Sequence, residues 1–302
     1  MKKAGRLAAA VFAAMLLVTG CGAPAEKKAV ETTPEQSSKI EQKEEAKNLK
    51  DAFKKDFKVG VAINPYQLKD EETKKIILEN FNSITMENGM KPEAILDQRA
   101  SENSKDGMPA INEENLAECL SLAKDNGLVL RGHCLVWHNQ TPEWFFCEKY
   151  DAGNAKVNKE TMKKRMESYI KKVLSFCQEK YPGVVYAWDV VNEACDDGGG
   201  YRTSSLWYEI YGDESYIEDA FTFARKYADK DVKLFYNDYN EYMPSKVSTI
   251  AELVKKLYDK KLIDGVGFQS HWDMNYPDTG MISDAMQKYS EIGDLEIQFT
   301  EV

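Results

Sequence analysis

Two glutamates close apolar runs: Glu193 ends Trp188-Asp189-Val190-Val191-Asn192-Glu193, and Glu301 ends Ile297-Gln298-Phe299-Thr300-Glu301. Read as a strand, the first run has a period of two that puts Asp189, Val191 and Glu193 on one face. Alone, a glutamate there would cap a helix or make a salt bridge, because polar residues are common where strands end. A pair allows chemistry. One carboxyl that keeps its proton near neutral pH protonates a leaving oxygen, while a second, ionised one attacks the carbon left behind. Glycosidic cleavage needs this division of labour, with the carboxyl groups about 5 to 5.5 Å apart for retention and wider for inversion.

Such a pair needs a scaffold whose strand ends converge. Apolar and β-branched runs at 59–63, 83–88, 129–137, 187–194, 233–240, 265–272 and 296–302 predict seven strands. Between them, apolar residues recur every three or four positions, most clearly at 115–126, 157–180, 216–229, 245–260 and 281–292, which predicts amphipathic helices. Alternating strands and helices imply an α/β fold with parallel strands, as an open doubly wound sheet or a (β/α)8 barrel. Two observations favour the barrel. A Gly-rich phosphate fingerprint follows none of the strands. Polar and aromatic residues crowd the C-terminal strand ends, at Glu87-Asn88, His133 to Trp137, Asn192-Glu193, Asn237 to Asn240, Gln269 to Trp272 and Glu301. In a barrel these ends meet at one rim, where active sites are built.

Five blocks carry a resemblance to a known family: residues 81–91 (FNSITMENGMK), 131–138 (RGHCLVWH), 188–193 (WDVVNE), 235–240 (FYNDYN) and 267–271 (GFQSH). In order and content they resemble glycoside hydrolase family 10, the endo-β-1,4-xylanases, over about 49–302. The resemblance implies a (β/α)8 TIM barrel and hydrolysis of internal β-1,4 bonds of xylan or xylo-oligosaccharides by double displacement with retention. It implies that Glu193 is the acid/base and Glu301 the nucleophile. Glu87, Asn88 and Lys91 are expected to bind the sugar one unit toward the non-reducing end, and His133, Trp137, Asn192, Gln269 and His271 to surround the sugar being cleaved. Beside the acid, Asn192 suits a 2-hydroxyl contact that strengthens in the transition state. Trp137 offers a flat face to a pyranose, and His271 a hydrogen bond that keeps the nucleophile ionised. No cofactor is expected, and the protein is expected to act as a monomer. A β-1,4-glucanase of the same family and a non-catalytic carbohydrate-binding surface lipoprotein are the alternatives.

All three histidines, His133, His138 and His271, fall in these blocks and raise a metal reading. Ligand-motif spacing is absent, and if the strand runs on to His138 its parity turns that ring to the face opposite His133, so no metal is expected. Trp144-Phe145-Phe146 with Tyr201, Trp207, Tyr208 and Tyr211 either line distal sugar sites or cover the core. Asp196-Asp197-Gly198-Gly199-Gly200 reads as a loop over the leaving-group side, with calcium the weaker alternative.

The flanks place the domain. Lys2, Lys3 and Arg6 precede an apolar run from Leu7 to Val18 too short for a membrane span, and Val18-Thr19-Gly20-Cys21 resembles a bacterial lipobox, so 1–21 is read as a lipoprotein signal acylated at Cys21. Residues 22–48, rich in Lys, Glu, Ser, Thr and Pro, read as a flexible linker, leaving 49–302 as the catalytic domain on the outer face of a bacterial membrane or secreted. A net charge of −10 argues against nucleic acid as a partner. The cysteines other than Cys21 are Cys119, Cys134, Cys147, Cys177 and Cys195, an odd set with no CxxC, read as free and mostly buried thiols.

The chain stops at Val302, directly after the proposed nucleophile. A complete barrel needs a further helix, strand and helix, and the resemblance implies an aspartate two residues past the nucleophile and tryptophans on later loops. The expectation is a fragment of a longer reading frame that folds poorly and turns over little xylan as a 1–302 polypeptide. A soluble 1–302 protein with normal turnover contradicts it.

Overall fold

In the computed structural model the apolar runs form seven strands: β1 (Gly60–Ile63), β2 (Ser83–Met86), β3 (Val129–Trp137), β4 (Val185–Asn192), β5 (Lys233–Asp238), β6 (Gly265–Phe268) and β7 (Glu296–Phe299). The structure describes residues 47–302. The leader with Cys21, and all but the last two residues of the 22–48 linker, lie outside the described residues. Among the described residues, no helix is long and apolar enough to cross a membrane.

Neighbouring strands are parallel throughout, and their spatial order is their order in the sequence. A doubly wound sheet reverses its order at a switch point; this sheet does not. It also curls back on itself, since Arg131 on β3 reaches across to Gln298 on β7, Nη1 to Oε1 at 2.7 Å. These are strands of a (β/α)8 barrel. The interior tolerates little extra volume. A Cβ on Gly267 of β6 would stand 2.3 Å from Asn237 Oδ1 and 3.1 Å from Arg131 Nη2.

Crossover helices follow the strands: α1 (Glu71–Asn80), α2 (Glu113–Asp125), α3 (Lys159–Lys180), α4 (Ser215–Tyr227), α5 (Pro244–Asp259) and α6 (Thr279–Ser290). Asp70, Asn112, Asn158 and Asp278 each accept a backbone N–H three residues on, satisfying a donor that the helix start would leave open. Such a cap contributes about 1 kcal/mol. On α3 the stripe Met162, Met166, Tyr169, Ile170, Val173, Leu174 and Cys177 is buried, as its periodicity predicts. Helix α1 carries its apolar residues as the contiguous triplet Ile76-Ile77-Leu78 and buries only Ile77 of its residues. That arrangement leaves almost no periodic signal to read.

Most strands stop short of their expected ends. The apolar run of β4 continues to Ala194, yet the strand ends at Asn192, and β5 and β6 likewise end two and four residues before 240 and 272. Glu193, Asn240 and Ser270 take left-handed backbone conformations, with φ of 57°, 52° and 62°. A left-handed residue breaks the ladder and turns the chain, so the polar residues past each strand belong to the rim.

Beneath that rim lies a buried ion pair. Arg131 Nε donates to Asp189 Oδ2 at 3.2 Å and Nη2 to Oδ1 at 2.5 Å, while His133 Nδ1 meets Oδ2 at 3.0 Å. Burial opposes ionisation of Asp189, but Arg131 and then His133 outweigh it and hold the carboxyl below its ordinary value. A folded-state pKa below the unfolded one stabilises the fold above the unfolded value and ceases to do so as pH falls through the folded value. Asp189→Asn leaves Arg131 buried without its counterion, and breaking a buried pair this way costs about 3 to 5 kcal/mol. Denaturant titrations of wild type and Asp189→Asn should show that gap in full at neutral pH and see it close below about pH 4. A gap that is constant down to acid pH contradicts the assignment.

Candidate active site

Parallel register lines up three amides at the ends of successive strands. Asn192 on β4 is the registered partner of Asn237 on β5, and the Gln269 N–H just past β6 donates to Asp238 O at 2.9 Å. Their side chains link the two glutamates. Gln269 Nε2 donates to Glu193 Oε1 at 2.9 Å and to Asn192 Oδ1 at 3.2 Å. Asn237 Nδ2 donates to the same Asn192 oxygen at 3.0 Å and to Glu301 Oε1 at 2.9 Å. Thr300 Oγ1, donating to Asn237 Oδ1 at 2.7 Å, fixes which way that amide points. Each carboxylate thus gains charge-assisted hydrogen bonds from neutral donors, which hold it in place without a counter-charge.

Each glutamate has further partners. The backbone of Glu193 is clamped in its left-handed turn: its N–H donates to Asn237 O at 2.9 Å, and its carbonyl accepts Arg202 Nε at 3.1 Å. Trp137 Nε1 donates to Glu193 Oε2 at 2.9 Å. Trp137 is therefore a hydrogen-bonding partner of this carboxylate as well as an aromatic face. Beyond β7, Glu301 Oε2 lies 3.1 Å from His271 Nε2. Glu193 and Glu301 are partly exposed, as groups that must meet a ligand have to be.

The β4–β5 ladder shifts register between Asp189 and Val191, and Asp189 is buried against Arg131 and His133 while Glu193, past the strand end, meets Trp137 and Gln269. Strand β3 stops at Trp137, so strand parity does not extend to His138, whose Nδ1 lies 4.0 Å from Glu193 Oε2. His138 therefore belongs to the site. Burial, then the nearby Arg202 charge, lowers its pKa and keeps it neutral at pH 7, against the pull of Glu193. The three histidines face three different carboxylates, Asp189, Glu193 and Glu301. Among the described residues, no group of three or more His, Cys, Asp and Glu is placed to hold a metal ion.

The other expected residues extend the rim past β2. Lys91 Nζ donates to Asn88 Oδ1 at 3.3 Å and lies 5.2 Å from the Trp137 ring centre, joining this group to Glu193. Two neighbours escaped the sequence reading. Asn64, one residue past β1, donates to Glu87 Oε2 at 2.6 Å, and Gln140 Oε1 accepts Lys91 Nζ at 2.9 Å. Asn237 was quoted in a block without a role. The rule that polar residues past strand ends build the rim would have found Asn64; Gln140 sits in a loop and carries no such signal.

Phe145, Phe146, Trp207 and Tyr211 are buried and cover the core. They still serve the site, because Trp207 Nε1 donates to Trp137 O at 3.0 Å and supports that strand end. In the 196–200 loop, Asp197 Oδ1 takes Lys246 Nζ at 2.9 Å, and the same ammonium meets Asp238 Oδ1 at 2.9 Å. All five cysteines of the described residues are free and buried.

The model of glycosyl hydrolase family 10 matches residues 48–302. The chain is 47% identical over 259 residues to endo-1,4-beta-xylanase B of Butyrivibrio fibrisolvens, covering 84% of this chain but 40% of that protein. It is 48% identical over 219 residues to a putative endo-1,4-beta-xylanase of Caldicellulosiruptor saccharolyticus, covering 70% of each. Among solved structures, the endo-1,4-beta-D-xylanase 10B of Clostridium thermocellum, in complex with xylohexaose, superposes with a TM-score of 0.77 at 40% identity, covering 83% of this chain and 52% of that one. The chain thus spans well under two thirds of the Butyrivibrio relative. The chain belongs to glycosyl hydrolase family 10.

Proposed function

We propose that this protein is an endo-1,4-β-xylanase that cleaves internal β-1,4-xylosidic bonds with retention, Glu193 acting as acid/base and Glu301 as nucleophile. The observation that carries the reading is the amide row joining the two carboxylates. Glu301, held by Asn237 and His271, attacks the anomeric carbon. Glu193, steered by Trp137 and Gln269, protonates the departing oxygen, and then as base activates the water that releases the glycosyl-enzyme. Asn192 holds the 2-hydroxyl. His133, whose Nδ1 is committed to Asp189, has Nε2 left for a sugar hydroxyl. Glu87, Asn88 and Lys91 bind the next sugar, and Trp137 supports the ring between. The named relatives support xylan as substrate, the Clostridium structure having been solved with xylohexaose.

The acid/base role has a diagnostic substrate dependence. Glu193→Ala should lower turnover of xylan by about 10²- to 10⁴-fold, yet spare the first step on an aryl xylobioside whose leaving group needs no protonation. Proton NMR of wild-type hydrolysis should show the β anomer forming first. An α anomer at early times, equal loss on both substrates, or release of reducing sugar from cellulose but not xylan overturns the corresponding part of the proposal.

A further inference from the structure

We infer that Glu241 is a positioning residue for the nucleophile: its buried carboxyl fixes Trp272 and thereby holds the His271–Glu301 contact. The inference rests on Glu301 as nucleophile. Glu241 lies three residues past β5, outside the amide row, and its side chain is fully buried. A carboxyl in that position costs free energy that an apolar side chain of similar size would not. Its contacts account for its presence. Oε1 accepts Trp272 Nε1 at 3.2 Å, and Glu241 O accepts Tyr289 Oη of α6 at 3.0 Å. Oε2 has no hydrogen-bond partner among the described residues.

From Trp272 a closed circuit of rings returns to the same residue. Trp272 packs edge-on against Phe299 at 5.5 Å between centres, Phe299 against Phe268 at 5.9 Å, and Phe268 against Tyr289 at 5.6 Å. Trp272 directly follows His271, and Phe299 precedes Glu301 by two residues. Both legs of the His271–Glu301 bond are therefore tied to one indole, and that indole is tied to Glu241. Charged or titratable groups face the carboxyl from each packed element: Asp238 at the end of β5, Lys246 on α5, Tyr289 on α6 and Tyr242 beside it. Burial first, with Asp238 adding and Lys246 opposing, pushes Glu241 up to about 7. The indole bond strengthens as the carboxyl ionises, so the clamp tightens as pH rises through neutrality.

The test uses the full chain with Glu241→Gln, Glu241→Ala and, alongside, Glu301→Ala, assayed on an aryl xylobioside. Gln keeps an oxygen acceptor and should stay within about threefold of the wild-type kcat while losing the inflection near pH 7 in kcat/KM. Ala should lower kcat by about tenfold or more with KM within about twofold, the signature of an interaction felt in the transition state. If Glu241→Ala does not fold, Trp272→Phe, which keeps the ring and deletes the N–H, should reproduce the kcat loss. An inactive Glu301→Ala beside a wild-type kcat and pH profile in Glu241→Ala or Trp272→Phe overturns the positioning role alone. Equal losses in Gln and Ala also overturn it, since the oxygen acceptor that Gln keeps would then do nothing to hold the indole. An active Glu301→Ala defeats the nucleophile reading and this inference with it.

Discussion

The structure depends on the register of three parallel strands. Asn192 and Asn237 are direct partners in the ladder, and Gln269 follows in line because its N–H continues the β5–β6 ladder. One residue of slip would turn an entire strand's side chains to the other face. With the register fixed, three amides stand abreast, and two carboxylates from β4 and β7, not neighbours in the sheet, are joined through neutral hydrogen bonds. The choice of amides matters. A lysine or arginine in the row would pair with one glutamate and keep it ionised, whereas an amide orients a carboxylate and leaves it able to take or lose a proton.

Layers below the row hold the register. Arg131 spans the barrel from β3 to β7 and pairs with Asp189 of β4, and its guanidinium lies 4.4 Å from the Phe235 ring centre of β5. A buried charge pair of this kind is poor as a source of stability but strict about geometry, since either partner alone is costly. Glycine at 267 lets β6 approach that guanidinium and Asn237 closely. Above the row, left-handed turns at Glu193 and Ser270 aim the side chains that follow the strands. Non-glycine residues persist there because surrounding hydrogen bonds over-determine them, as Arg202 does for Glu193.

The strand–helix alternation, the barrel class and the crowding of polar residues at one rim were legible in the sequence because they follow from hydrophobic period. Strand ends were not. The apolar run into Glu193 looks continuous, and the left-handed turn that stops it depends on partners distant in sequence, Asn237 and Arg202. The opposite face for His138 depended on the strand running on to it, and the strand stops at Trp137, so parity does not govern where that ring goes. Helix α1 lacked an apolar stripe. Trp137 was read for its ring alone, since the contact of its indole N–H with Glu193 arises only when β3 and β4 lie side by side. Glu241 drew no attention because a single glutamate in a loop reads as solvated, and only its burial marks it. Family resemblance supplied the roles of the sugar-binding residues, which spacing alone would have left unassigned.

The central claim is that Glu301 attacks sugar covalently while Glu193 handles the proton. Incubation with a 2-deoxy-2-fluoro xylobioside bearing a dinitrophenolate leaving group, followed by mass spectrometry of the protein and its peptides, tests it directly. Fluorine at C2 slows both steps, and the activated leaving group lets the first outrun the second, so a glycosyl-enzyme should accumulate. The account predicts one fluoro-xylobiosyl group per chain, on the peptide containing Glu301. An adduct on Glu193 or any other residue, or hydrolysis of an unfluorinated xylobioside with no trapped species, would contradict it.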